Sequence, residues 1–112
     1  MEIAPVWYDP LSPLGSAVRY VASLSPHFNW VGISVAKKSG LVLGPFIGPE
    51  CETTGKSQLV VLIQNAAGKV LGQIDIKSHT LNTFGLSEEE AVRHVSKELG
   101  VLWPEPEKRS RR

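Results

Sequence analysis

The sequence predicts one α+β domain in which a four-stranded antiparallel sheet, built from two hairpins, carries an N-terminal and a C-terminal helix on one face. Apolar residues recur at helical spacing near both ends of the chain, and two pairs of strand-like segments lie between them. A chain of 112 residues can form one modest hydrophobic core. We assign 12–103 to this minimal domain, 1–11 to an irregular N-terminal arm, and 104–112 to a mobile charged tail.

The first helix is predicted over residues 13 to 24. Ser12 is suited to the N-cap, and Pro13 is suited to the first helical position. Apolar residues follow at helical spacing as far as Leu24. The helix ends before Pro26, because the residue preceding a proline is disfavoured in the helical conformation.

Two hairpins follow the helix. In the first, Val31, Ile33 and Val35 alternate with smaller residues, and a polar turn leads into LVLGPFI. In the second, QLVVLIQ and KVLGQIDIKS flank the turn Asn65–Gly68. Residues 59–63 are apolar at every position, which predicts a central strand that is covered on both faces.

The second helix is predicted to begin at a capping box formed by Ser87 and Glu90. Glu88 and Glu89 suit the positive end of the helix dipole. Gly100 is predicted to end the helix. The buried stripe contains Val92, Val95 and Leu99.

Composition indicates a soluble globular protein, with 42% hydrophobic and 21% charged residues. A net charge of +1 does not favour binding to nucleic acid or to a membrane surface. The N-terminus lacks the pattern of a secretory signal, and one cysteine cannot form an internal disulfide, so we expect a cytoplasmic protein. The basic end Lys108–Arg112 is either a solvated tail or a contact for an acidic protein or nucleic acid.

The segment GPECETTGKSQLVV contains two features that suggest chemistry. Its Gly-Lys-Ser triplet is not a phosphate loop, because Glu50 stands where the first glycine is needed and the triplet opens a strand instead of a helix. Cys51 is a weak candidate nucleophile, because its neighbours Glu50 and Glu52 disfavour the thiolate. His27, His79 and His94 lack ligand spacing, so we predict no metal site and no cofactor.

Three stretches in this order resemble the GAF-type free methionine-(R)-sulfoxide reductases. They are FNWVG, LVLGPF followed by Cys51, and GKVLGQIDI followed by Phe84 and an acidic helix start. The resemblance extends over roughly residues 14 to 100. It implies a GAF fold: a central antiparallel sheet, terminal helices on one face, and a ligand pocket on the other.

The chain departs from that family in its cysteines. The resemblance implies a nucleophilic cysteine and resolving cysteines around and within a long excursion between the hairpins. Here Cys51 matches a resolving position, and the strand that begins at Ser57 follows almost directly. A thiol cycle that reduces a sulfoxide needs a second thiol. We therefore favour a non-catalytic domain; the alternative is a reductase-like enzyme that uses Cys51 with an external thiol.

The candidate ligand-binding residues are Trp30, Gln58, Asp75 and Lys77. The resemblance implies that Trp30 is a pocket tryptophan. It also implies that the family has carboxylates at the positions of Gln58, Asp75 and Lys77, which hold the amino group of methionine sulfoxide. Only Asp75 keeps its acid, and Lys77 would repel an ammonium group. Strand alternation predicts that all four side chains share one face, which is either a ligand site or an ordinary exposed or dimer-buried surface.

The missing excursion also leaves the pocket face of the sheet without its cover. We expect Trp30, Val60, Leu62 and Leu71 to face water. An uncovered apolar face of this kind usually marks an interface. We therefore predict a homodimer, or another partner, on this face.

Overall fold

The computed structural model describes residues 13–48, 57–81 and 84–103, and it has the predicted α+β architecture. Its elements are α1 (Pro13–Ala22), β1 (Trp30–Lys37), β2 (Gly40–Ile47), β3 (Ser57–Gln64), β4 (Val70–Ser78) and α2 (Leu86–Leu102). The strands form one antiparallel sheet in the order β2-β1-β4-β3. The predicted N-terminal arm, Ser12 and the charged tail lie outside the described residues.

Both helices pack on the same face of the sheet, as predicted. α1 lies against β1 and β2, and α2 lies mainly against β3. Burying the apolar stripe of each helix against this face removes it from water, which is the main force that holds the domain together. Neither helix in the described parts of the chain has the length and apolar character to cross a bilayer. The fully buried core residues include Val18, Val21, Val31, Ile33, Ile63, Ile74, Ile76 and Val92.

The prediction that β3 is a central strand covered on both faces is wrong. Among the described residues, β3 is the last strand of the sheet, and β4 is the one strand that pairs with it. Its apolar run divides between the two faces: Val61 and Ile63 are buried under α2, whereas Val60 and Leu62 are 43% and 51% exposed. An uninterrupted apolar run therefore reflects two apolar faces here, and one of them lies open to solvent.

Two helix boundaries differ from those predicted. α1 ends at Ala22, and the backbone N–H of Ser23 closes a turn by donating to the Tyr20 carbonyl. α2 begins at Leu86 with Gly85 as its N-cap, and the Gly85 N–H donates to Glu88 Oε1 at 3.1 Å. The predicted box of Ser87 and Glu90 is thus shifted, because Glu88 reaches back to the first exposed N–H of the chain entering the helix.

Gly100 does not end α2, which continues to Leu102. A Cβ atom at this position would overlap the carbonyl oxygen of Gln64 at the end of β3. Glycine is therefore needed for the close approach of helix and strand, and the sequence pattern of a C-terminal stop was misleading.

Candidate functional site

The face of the sheet opposite the helices, called the open face below, contains all four predicted ligand-binding residues. Trp30 on β1 and Gln58 on β3 both lie opposite Lys77 on β4. The next residue of β4 on this face is Asp75, which lies opposite Val60. Directly opposed residues of antiparallel strands project to the same face, so the register brings the four side chains together. Their role in binding stays a prediction.

The four residues form a group that we call the polar cluster. Gln58 Nε2 donates a hydrogen bond to Asp75 Oδ1 at 2.8 Å. Lys77 Nζ lies 5.2 Å from the centroid of the Trp30 ring, within the range of a cation–π interaction. The neutral amide of Gln58 thus binds the carboxylate of Asp75, and the cation of Lys77 lies over the Trp30 ring in the same cluster.

The expectation that Trp30 faces water is wrong, because only 6% of its surface is exposed. Its indole stacks on Phe46 of β2, with ring centroids 5.7 Å apart and planes inclined by 19°. A Cβ atom on Gly32 would overlap the indole, so this glycine lets the ring lie flat over its own strand. Sequence reasoning missed Phe46 and Gly32 as parts of the site, although both belong to the FNWVG and LVLGPF stretches.

The indole nitrogen of Trp30 is buried without a partner. Among the described residues, Trp30 Nε1 is the one buried side-chain polar atom that makes no hydrogen bond. Buried indole N–H groups usually find an acceptor, since an unpaired buried donor costs stability. The polar cluster therefore contains a donor that an acceptor on a bound molecule would satisfy.

The apolar part of the open face lies on β3. Val60 and Leu62 are exposed, as expected, and we call them the apolar patch. Leu71 differs from the expectation, because it is half-buried and packs against the core. The patch adjoins the polar cluster, since Val60 lies opposite Asp75 in the register of β3 and β4.

The other candidate residues do not join this site. Cys51 lies outside the described residues. His27 and His79 are exposed in loops, and His94 on α2 lies 3.5 Å from Glu98, so the three histidines are not assembled as ligands. In the described ranges, no three histidine, cysteine, aspartate or glutamate side chains are grouped as a metal site would require.

In the described residues, both helices lie on one face of the sheet and the polar cluster lies on the other. No model of a known protein family matches the chain. Its fold is similar to a solved GAF domain, with a TM-score of 0.67 and 21% identity over 82% of this chain and 77% of that one. The protein therefore has a GAF-like fold.

Particular relatives extend this likeness. The type II free methionine-R-sulfoxide reductase of Thermoplasma acidophilum superposes with a TM-score of 0.70 and 19% identity, over 78% of this chain and 86% of that one. In sequence, the chain is 23% identical to the protein ZMO0507 of Zymomonas mobilis, over 82% of this chain and 79% of that protein. The fold is thus shared by GAF domains and by free methionine-R-sulfoxide reductases, as the sequence resemblance implied.

Proposed function

We propose that the protein is a non-catalytic GAF-like binding domain that associates with a second copy of itself through its open face and binds a small polar molecule at the polar cluster. A GAF-like fold supports a ligand-binding or regulatory role. The observation that carries the proposal is the apolar patch, because Val60 and Leu62 are 43% and 51% exposed beside the polar cluster. Exposed apolar surface next to polar groups is typical of an interaction site.

The thiol inventory supports a non-catalytic role. Reducing a sulfoxide to a thioether consumes two thiols, which become a disulfide while the oxygen leaves as water. This chain has a single cysteine. Its alignment with ZMO0507 extends over 127 residues, more than the 112 residues of the whole chain, so the relative contains residues without a counterpart here.

Self-association is tested by light scattering coupled to gel filtration across a concentration series. We expect the mass of a dimer at high micromolar concentration and dissociation on dilution. A monomeric mass throughout the series would overturn the self-association part of the proposal.

Ligand binding is tested at the unpartnered indole of Trp30. In a ¹⁵N-labelled sample, the Trp30 indole N–H resonance is assigned by its loss in Trp30→Phe. L-Methionine and L-methionine sulfoxide are then added as probes, and we expect the wild type to bind both weakly because Lys77 repels their ammonium group. Lys77→Asp is expected to tighten binding of methionine sulfoxide by about tenfold, since tenfold corresponds to about 1.4 kcal/mol and solvent screens a charge pair at this partly exposed site to about that size.

Two results would count against the ligand site. One is an indole resonance that no probe shifts in either protein. The other is equal binding by Lys77→Asp and by Lys38→Asp, a control that removes a cation from the exposed β1–β2 turn, outside the polar cluster. In the second case, net charge alone would explain the gain.

An enzymatic alternative is favoured by the TM-score of 0.70 with the Thermoplasma acidophilum reductase together with the presence of Cys51. In this alternative, Cys51 attacks the sulfoxide and becomes a sulfenic acid as the thioether leaves. One external thiol condenses with the sulfenic acid to a mixed disulfide and releases water, and a second external thiol reduces that disulfide and regenerates Cys51. Thiol-dependent turnover of free methionine sulfoxide that is lost in Cys51→Ser would establish it. Equal background rates for the wild type and the variant support the non-catalytic role.

A further inference from the structure

The outer edge of β3 indicates how a second copy can dock. β3 is the last strand in the order β2-β1-β4-β3, so one edge pairs with β4 and the other faces away from the sheet. In the described ranges, no strand pairs with that outer edge. An open edge presents backbone N–H and C=O groups that can form a ladder with a strand of another chain.

β3 lacks the features by which edge strands avoid such pairing. Its eight residues, SQLVVLIQ, include no charged residue and no proline. The opposite edge strand, β2, contains Gly44 and Pro45, and its pairing with β1 is irregular there. Charges, prolines and bulges are the usual means of blocking an edge, so the β3 edge is open to pairing and the β2 edge is protected.

The sequence of β3 is self-complementary about Val61. When β3 of two copies runs antiparallel with Val61 opposite Val61, apolar residues lie opposite apolar residues and glutamine lies opposite glutamine. The helix-facing side chains of both copies then lie on the same side of the joined sheet. A shift by one residue would place core side chains opposite open-face side chains, which the pleat does not allow. The resulting pairs are Val61 with Val61, Val60 with Leu62, Leu59 with Ile63, and Gln58 with Gln64.

We propose that two copies of the chain pair antiparallel along β3 with Val61 on the two-fold axis, so that their two sheets become one continuous sheet. This inference rests on the self-association proposed above, but it places the contact along the β3 edge, at the border of the open face, and not across the face itself; it also defines the register. The apolar patches of the two copies then meet across the new ladder, because Val60 of each chain lies beside Leu62 of the other. The helices of both copies lie on the same side, since the axis is perpendicular to the sheet.

A matched pair of variants tests which edge associates. Val60 on β3 and Val42 on β2 are valines on opposite edge strands, 43% and 46% exposed. Val60→Lys brings two like charges near the axis of the proposed dimer and is expected to weaken its affinity by about tenfold or more in sedimentation equilibrium. Val42→Lys is expected to leave the affinity unchanged within about twofold. Urea unfolding of each variant verifies that both are folded.

Cysteine pairs test the register. In a Cys51→Ser background, Val60→Cys and Leu62→Cys are prepared as separate proteins. The proposed register places these positions directly opposite each other, about 5 Å apart at Cβ, whereas two copies of either variant meet only on a diagonal of about 7–8 Å. An equimolar mixture should therefore form disulfide-linked heterodimer faster than either variant forms homodimer.

The possible results separate this inference from the function on which it rests. A monomeric wild type overturns both. A dimeric wild type that tolerates Val60→Lys, or in which the mixture cross-links no faster than the single variants, overturns edge pairing and leaves self-association by another surface. A dimer lost in Val60→Lys, kept in Val42→Lys, and cross-linked fastest in the mixture supports edge pairing in this register.

Discussion

The two faces of the sheet differ in what their side chains do, although the same strands supply both. On the helix side, β4 contributes Ile74 and Ile76, which are fully buried. On the open side, the same strand contributes Asp75 and Lys77, which are partly exposed and contact residues of the polar cluster. The comparison teaches that one strand can hold the fold together on one face while its other face is available for recognition.

The two faces also differ in how completely their apolar side chains are buried and their buried polar atoms are hydrogen-bonded. The helix side is closed by α1 and α2, and its apolar residues form one continuous cluster. The open side retains exposed Val60 and Leu62, and the buried indole N–H of Trp30 has no acceptor among the residues that the structure describes. Exposed apolar side chains and an unpaired donor reduce stability, and both are what the proposal of binding at the open face would require.

The largest expected difference between the two faces is in the loss of stability when one apolar residue on each is replaced by alanine. Ile74→Ala is expected to lower the free energy of unfolding by about 3 kcal/mol, because it leaves a cavity in a close-packed core. Val60→Ala should lower it by less than about 1 kcal/mol, because this side chain is already half in water. Urea unfolding in dilute solution, where association is weak, measures both values.

A similar loss in both variants would contradict the division of roles between the faces. It would mean that the apolar patch contributes to the stability of the single chain instead of serving a partner. Repeating the experiment at high protein concentration separates the two contributions, because only the cost of changing a dimer contact grows with concentration.

Strand alternation was sufficient to predict which side chains share a face. Alternation predicts that Val31, Ile33 and Val35 share one face of their strand, and that Trp30, Gln58, Asp75 and Lys77 lie together on one face of the sheet. Local periodicity determines facing directly, since successive side chains of a strand point to opposite sides. The sheet, its two hairpins and its two helices followed from the same local signals.

Position within the sheet could not be predicted in this way. The apolar run 59–63 suggested a central strand, but the order of strands depends on contacts between segments that are distant along the chain. The burial of Trp30 was missed for a related reason, because it depends on Phe46 from a neighbouring strand and on the space left by Gly32. Edge position and ring stacking are tertiary properties, and the sequence pattern does not encode them locally.

Glycines on the two faces give a second way to test the comparison. A Cβ atom on Gly72 would overlap the Ser34 carbonyl oxygen and approach the Trp103 ring. Because a backbone atom within the sheet cannot move aside, Gly72→Ala is expected to cost about 2 kcal/mol of unfolding free energy. On the open face, the atoms nearest to a Cβ atom on Gly32 belong to the ring of Trp30, a side chain that we expect to move more readily than backbone.

Gly32→Ala should therefore cost less than Gly72→Ala and instead displace the indole. Thermal or urea unfolding measures the first effect, and a shift of the Trp30 indole N–H resonance measures the second. If Gly32→Ala destabilised the protein as strongly as Gly72→Ala while leaving that resonance in place, the indole would be held as rigidly as the core. The open face would then not be the more adaptable of the two.

The smallest expected effect concerns the polar cluster. It shows whether the contact between Gln58 and Asp75 contributes to stability beyond the net charge of the open face. Gln58→Glu replaces the donor that binds Asp75 with a second carboxylate, while Lys77 directly opposite attracts that carboxylate and offsets part of the repulsion. The net loss in the free energy of unfolding should therefore stay below about 1 kcal/mol at low salt. Because the site is exposed, added salt should remove most of that loss. Gln64→Glu on the same strand is the matched control, since Gln64 Nε2 donates to the Gly68 carbonyl at 3.3 Å and not to a carboxylate. For Gln64→Glu, the loss in the free energy of unfolding should be smaller and independent of salt. Equal salt dependence in the two variants would show that net charge, and not the contact with Asp75, determines the change in stability.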